Sequence, residues 1–124
     1  MLKLSFCLRR LPHLSREEFQ KYWFETHGPL VRKQREALRI QRYVQTHTVL
    51  GDAADALRAT RGGPPAYDGV AELWWKDEAD VAAALSTPEG IEAGRILLED
   101  ERKFIDLANS PLWWAHEREV IPGK

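Results

Sequence analysis

Three side chains able to move a proton at ordinary pH stand among large rings in the first half of the chain: His27, Tyr43 and His47. Imidazole titrates near neutrality and serves as general acid or base, and a phenol supplies a hydrogen bond. His27 directly precedes Gly28-Pro29, where helix carbonyls fall free. It either caps those carbonyls or projects into a cavity as a proton shuttle. Tyr43 and His47 are four apart, so on a strand they share a face at about 13 Å, too far to bond each other. Each could reach a ligand of two or three rings, Tyr43 as donor and His47 as base. The plainer alternative is a buried Tyr with a satisfied hydroxyl and a solvated His.

The aromatic rings Phe19, Tyr22, Trp23 and Trp75 are candidates for the apolar walls of such a pocket. Glu72 either forms an ion pair with Arg42 or Arg118 or acts as a carboxylate base reached from the cavity mouth. Arg58 and Arg61 could clamp a carboxylate or phenolate in bidentate fashion, although loop Arg residues are commonly solvated. His116 is read as interface or surface, His13 as an exposed turn residue, and Cys7 as a small packing residue. One Cys and four scattered His make no zinc spacing, so no structural metal is expected. Gly62-Gly63-Pro64-Pro65 lacks the Gly-Lys-Ser/Thr ending of a phosphate loop, and its prolines remove the needed N–H groups.

The elements that must hold these groups are legible in the periodicity. Leu2, Leu4, Phe6 and Leu8 alternate with polar residues, which predicts a strand over 2–9. Ser15-Arg16-Glu17-Glu18 is a capping box, with Leu14 and Phe19 as its hydrophobic staple. Phe19, Tyr22, Trp23, Thr26 and Leu30 continue as an inward stripe of a helix that Pro29 must kink or restart before it ends near Leu38. A second strand is predicted over 40–50, with Tyr43, Gln45, His47 and Val49 on one face. Residues 51–66 show no firm period and read as a long loop, either a lid or disordered. The third strand is expected over 67–75, with Asp68, Val70, Glu72 and Trp74 opposite Gly69, Ala71, Leu73 and Trp75. Asp77 and Thr87-Pro88 begin two further helices. The second of these is predicted to reach about Ala108, burying Ile91, Gly94, Leu97, Leu98, Phe104 and Ile105. A last strand spans 112–121.

The order β-α-β-β-α-β is the ferredoxin-like arrangement, an α+β fold with a four-stranded antiparallel sheet. Two helices cover one face of such a sheet. Trp74, Val70 and one of the C-terminal tryptophans would leave the other face apolar and wet, so a homodimer closed sheet to sheet is expected.

Composition narrows the partners. The 124 residues carry 18 Lys plus Arg against 19 Asp plus Glu, enough for one domain and without a basic field for nucleic acid. The first ten residues alternate instead of running apolar, and no stretch is long enough to cross a membrane, so a cytoplasmic protein without membrane partner is the expectation.

Several segments together resemble the EthD-domain family. They are Arg9-Arg10 through Leu14-Ser15-Arg16-Glu17-Glu18-Phe19, Tyr22-Trp23, Thr26-His27-Gly28-Pro29-Leu30, Arg42-Tyr43-Val44-Gln45 with His47, Tyr67 through Trp74, and Asp100-Glu101 with Phe104-Ile105-Asp106. The resemblance implies a dimeric α+β barrel with a ligand pocket between sheet and helices. It also implies relatives that include aromatic polyketide cyclases, decarboxylases, lactone isomerases, cofactor-free monooxygenases and haem enzymes. His27 or His47 could in principle ligate haem, but the EthD likeness implies no cofactor. The expected function is therefore cofactor-independent proton transfer on a small aromatic, polyketide-like or lactone metabolite: dehydration, decarboxylation or isomerisation. The rival is a non-catalytic binding or accessory protein beside an oxygenase.

Overall fold

A computed structural model describes all 124 residues. Four strands, β1 (Leu2–Leu8), β2 (Arg42–His47), β3 (Gly69–Trp75) and β4 (Leu112–His116), form one antiparallel sheet in the order β2-β3-β1-β4. This is the ferredoxin-like α+β fold. Registers such as Leu4 opposite Leu73, Phe6 opposite Ala71, and Tyr43 opposite Leu73 bring the apolar residues of three strands onto one face. All helical packing against the sheet is on that face. One cluster gathers Phe6, Leu8, Phe19, Trp23, Ala71, Phe104 and Ile105, and a second gathers Val31, Leu38, Ile40, Trp75, Ala93 and Leu97.

The first helical layer begins as its sequence dictates. Ser15 Oγ accepts from the Glu18 N–H at 3.1 Å, and Glu18 Oε1 accepts from the Ser15 N–H at 2.9 Å, closing the capping box at the start of α1 (Arg16–Tyr22). Buried Asp68 tethers the same end. It accepts from the Arg10 N–H at 2.8 Å, from the Arg10 guanidinium at 2.6 Å and from Arg16 Nε at 2.9 Å. Asp68 thus precedes β3 and does not share the face of Glu72 and Trp74, contrary to the alternation expected for it.

Pro29 is accommodated by widening the helix instead of breaking it. Trp23–His27 form a π-helical turn, with the Gly28 N–H reaching back to the Trp23 carbonyl. Helices α2 (Gly28–Lys33) and α3 (Arg35–Leu38) then follow. One additional residue in the turn moves the inward face by one position. His27 and Val31 are buried at 4% and 3% exposure, whereas Thr26 is exposed, which corrects the predicted stripe through Thr26 and Leu30.

Further differences concern ends and loops. The segment predicted as a loop over 51–66 contains a surface helix, α4 (Asp52–Ala59), with no buried residue. Its alanines have high helix propensity, and with no apolar stripe facing a core it shows little period in sequence. Asp77 caps α5 (Glu78–Ala84), and Thr87 caps α6 (Pro88–Glu101) with Pro88 in its first turn. Helix α6 ends at Glu101, not near Ala108. Its inward residues are Gly90, Ala93, Leu97 and Asp100, whereas Ile91 and Leu98 are 59% and 42% exposed. Phe104 and Ile105 enter the core from the turn beyond it.

The face of the sheet away from the helices is less bare than expected. Trp74 is only 6% exposed because Arg42 lies 4.7 Å and Lys3 5.3 Å from its ring, and its indole N–H donates to Glu117. The most exposed large apolar groups of the sheet lie on β4, with Leu112 at 56%, Trp113 at 47% and Trp114 at 48%.

Candidate active site

Between the sheet and the helices lies a cavity of about 240 Å³ whose walls are almost entirely apolar. Leu4, Phe6 and Leu8 of β1, Ala71, Leu73 and Trp75 of β3, and Tyr43 of β2 form its floor. Trp23, His27 and Val31 close it from the first helical layer, and Gly94, Leu97, Leu98 and Glu101 from α6. Leu98 and Leu112, both substantially exposed, mark the side open to solvent, between α6 and β4. Three residues in this shell carry polar side-chain atoms suited to chemistry: His27, Tyr43 and Glu101.

His27 is aimed by α6. Its Nδ1 lies 2.7 Å from Asp100 Oδ2, and Tyr22 Oη donates to Asp100 Oδ1 at 2.6 Å. Desolvation pushes the Asp100 carboxyl upward, but hydrogen bonds from Tyr22 and His27 and the charges of His27 and Lys103 outweigh it, so Asp100 titrates below its ordinary range. Burial dominates at His27 and lowers its pKa below 6.5, against the opposing hydrogen bond and charge of Asp100. At neutral pH the pair is therefore a carboxylate and a neutral imidazole. A carboxylate only accepts, so Nδ1 carries the proton and Nε2 presents a lone pair. That nitrogen has no protein partner. Phe104, 5.0 Å from the His27 ring and 5.0 Å from that of Tyr22, packs the assembly in place.

Glu101 follows Asp100 in sequence but faces the cavity. Desolvation first, and the Asp100 charge second, raise its carboxyl to about 7. No protein donor reaches this side chain, unlike Asp100, which has two hydrogen-bond donors and Lys103 at 3.6 Å. Two adjacent carboxyls are thus held in opposite protonation tendencies by their surroundings, the pattern of an acid and an orienting anion.

Residues 11–108 match the EthD domain. The chain belongs to the EthD-domain family. Among solved structures, an EthD family protein from Bacillus halodurans C-125 is similar at 24% identity and a TM-score of 0.62, covering 95% of this chain and 99% of its own. An EthD-like protein from Ralstonia eutropha JMP134 superposes with a TM-score of 0.60 at 17% identity, over 99% of this chain and 94% of that one. HapK from Hahella chejuensis does so with 0.58 at 12% identity, over 99% and 100%. These likenesses establish the shared fold. No curated protein matches the sequence.

Of the side chains singled out from the sequence, the EthD chain brings His27, Tyr43, Trp23 and Trp75 to the cavity. Phe19 and Tyr22 do not line it. Phe19 is fully buried beneath, 5.7 Å from Trp23, and Tyr22 stands behind Asp100. His47 is not a free base at this cavity: its ring stacks on Trp23 at 4.5 Å and its Nε2 meets Gln45 Oε1 at 2.9 Å. Glu72 points to the opposite face of the sheet, where it pairs with Lys3, not with Arg42 or Arg118. Arg61 lies in the exposed segment after α4 and donates to Thr60 Oγ1 at 2.6 Å, away from the cavity walls. Arg58 is likewise spent on the Gly63 carbonyl, at 2.8 Å.

Asp100 and Glu101 were not among the expected site residues. Their only signal was the acidic pair itself near a helix end, because the burial that sets Glu101 apart from its neighbour is a tertiary property. No group of three or more His, Cys, Asp or Glu side chains is placed to hold a metal ion, and no helix is long and apolar enough to cross a membrane.

Proposed function

We propose that this EthD-domain protein binds a small, largely apolar, ring-bearing metabolite in the cavity and moves a proton on it without a cofactor. Lactones, aromatic acids and polyketide-like compounds fit this description. His27 Nε2 is the base, Asp100 and Tyr22 hold it in the competent tautomer, and the protonated Glu101 carboxyl is the acid. The observation that carries this reading is the pairing of His27 with a carboxylate instead of a helix carbonyl, with its other nitrogen turned to an apolar cavity that also holds a raised carboxyl. A carrier needs only the slot, whereas an acid and a base at one cavity are what proton transfer requires.

In outline, Nε2 takes a proton from carbon beside a carbonyl or unsaturated bond, and Glu101 or the new imidazolium returns one at another atom. Isomerisation needs no further reactant. Dehydration and decarboxylation use the same two groups, with water or carbon dioxide as the departing product.

The same reading includes a homodimer in which the sheet faces of two protomers meet, supported by Trp113 on the uncovered face and by the exposed β4 edge.

The test is deuterium incorporation from D2O into 2-tetralone and isomerisation of α-angelica lactone, followed by NMR. Acceleration by the wild type, reduced at least ~100-fold in a folded His27→Asn variant, is the expected result. Neither compound reacting faster than in buffer would sink the proposal in favour of a binding or accessory role.

A further inference from the structure

The hydrogen bonds around Gln45 leave one proton in the wall of the cavity without an acceptor. Gln45 Nε2 lies 2.8 Å from the Trp23 carbonyl oxygen and 2.7 Å from Tyr43 Oη. A carbonyl only accepts, so the atom facing it must be the amide NH2, and the orientation of the amide is decided by chemistry. Both amide hydrogens are then used, one on Trp23 and one on the Tyr43 oxygen. The amide oxygen faces His47 Nε2 at 2.9 Å, which makes that ring nitrogen a donor and holds the amide against flipping. Stacking on Trp23 in turn fixes the His47 ring.

Tyr43 Oη thus accepts from Gln45, and its own O–H must donate elsewhere. No protein acceptor is within hydrogen-bonding distance of it. Gln45 and His47 border a separate surface cleft of about 590 Å³ beside β2 and are absent from the cavity walls, whereas Tyr43 borders both spaces. The free side of its oxygen, opposite the bond from Gln45, is therefore the cavity side. Burial also pushes the phenol up to about 12, so the proton stays on the oxygen throughout the working range.

We propose that Gln45 and His47 are positioning residues that make Tyr43 an obligate hydrogen-bond donor to an oxygen acceptor, a ketone or enolate oxygen, on the molecule in the cavity. The inference rests on the proton-transfer reading for its chemical use. When His27 Nε2 removes a C–H proton beside a carbonyl, the electron pair moves onto the carbonyl oxygen. The Tyr43 O–H meets that charge without giving up its proton, and reprotonation at carbon closes the cycle.

Binding alone tests it, with 1-indanone and indane as probes of nearly equal shape that differ in the oxygen. The wild type should bind the ketone about tenfold more tightly than the hydrocarbon, as one hydrogen bond warrants. The carbonyl stretch of bound 13C-labelled 1-indanone should lie below its value in hexane. Tyr43→Phe removes the donor and should abolish both effects. Gln45→Glu keeps the hydroxyl but offers it a carboxylate acceptor, so it should also abolish both, a change that a merely structural Gln45 would not produce. His27→Ala should leave both effects intact, so this inference and the proton-transfer reading fail separately. Equal binding of the two probes by the wild type, binding of neither, or an undiminished ketone preference in Tyr43→Phe would overturn the proposal. If Gln45→Glu folds and keeps the preference, the positioning role is wrong.

Discussion

Replacing Glu101 by Gln should make the protein more stable in alkaline solution while removing the proposed acid. The side chain lines an apolar cavity beside the ionised Asp100, and these surroundings raise its carboxyl from 4.5 to about 7. The folded chain therefore binds this proton more tightly than the unfolded chain. Such a group stabilises fully only below 4.5, and its contribution is lost as the pH rises through 7. At about 1.4 kcal/mol per tenfold change in proton affinity, the loss amounts to about 3 kcal/mol. Water at the open side of the cavity trims that toward about 2 kcal/mol. Glutamine is nearly isosteric and never ionises. Urea unfolding of the wild type and of Glu101→Gln, measured every half unit from pH 5 to pH 8.5, should give a stability difference that grows in favour of the variant by about 2–3 kcal/mol across the series. That corresponds to roughly 10 °C in melting temperature for a domain of this size. A difference that stays flat within about 0.5 kcal/mol over the whole range would show that Glu101 is not held protonated, and the assignment of the acid would fall with it.

The same two groups shape the rate. kcat/KM should follow a bell, with an acid limb below 6.5 where His27 becomes protonated and an alkaline limb near 7 where Glu101 ionises, so its maximum lies on the acid side of neutrality. Glu101→Gln should abolish the alkaline limb, and its persistence would place that titration elsewhere. Asp100→Asn removes the charge that favours the imidazolium, so NMR titration should show the His27 pKa falling further, with turnover reduced by about 100-fold or more through loss of the fixed tautomer. Gly69→Ala would set a Cβ 2.4 Å from Trp23 Cζ3 and 2.8 Å from the Thr46 carbonyl oxygen. Thermal unfolding should show a cost of about 1–3 kcal/mol, with Trp23 displaced from the His47 ring.

The fold was readable because its determinants are local. Alternation marked β1 and β3, the Ser15 and Glu18 box began α1 at the right residue, and Thr87-Pro88 did the same for α6. His27 and Tyr43 could be singled out by type and spacing. What decides their chemistry could not. Asp100 reaches His27 across 73 residues, and Gln45 reaches Trp23 across 22, through contacts that exist only after the layers pack. His47 looked like a free base because nothing local discloses that its donor is occupied by Gln45. The exposed rows of α6 misled for a related reason. Ile91 and Leu98 are apolar and at helical spacing, yet the face toward the sheet is the one holding the smaller Gly90 and Ala93, and backbone proximity favours small residues there.

The wide turn at Trp23–His27 constrains how the length of the chain can vary. Substitutions there act where they fall, but a deletion would act at a distance. Removing one residue would restore ordinary helical spacing and rotate everything downstream by about 100°. Val31 and Leu38 would swing off the sheet, and Thr26 would take the place from which His27 reaches Asp100. Restoring the residue at any point within the turn would recover the phase. The segment from Phe19 to Val31 therefore behaves like a reading frame, held to its number of residues by packing even where the letters themselves are free to change.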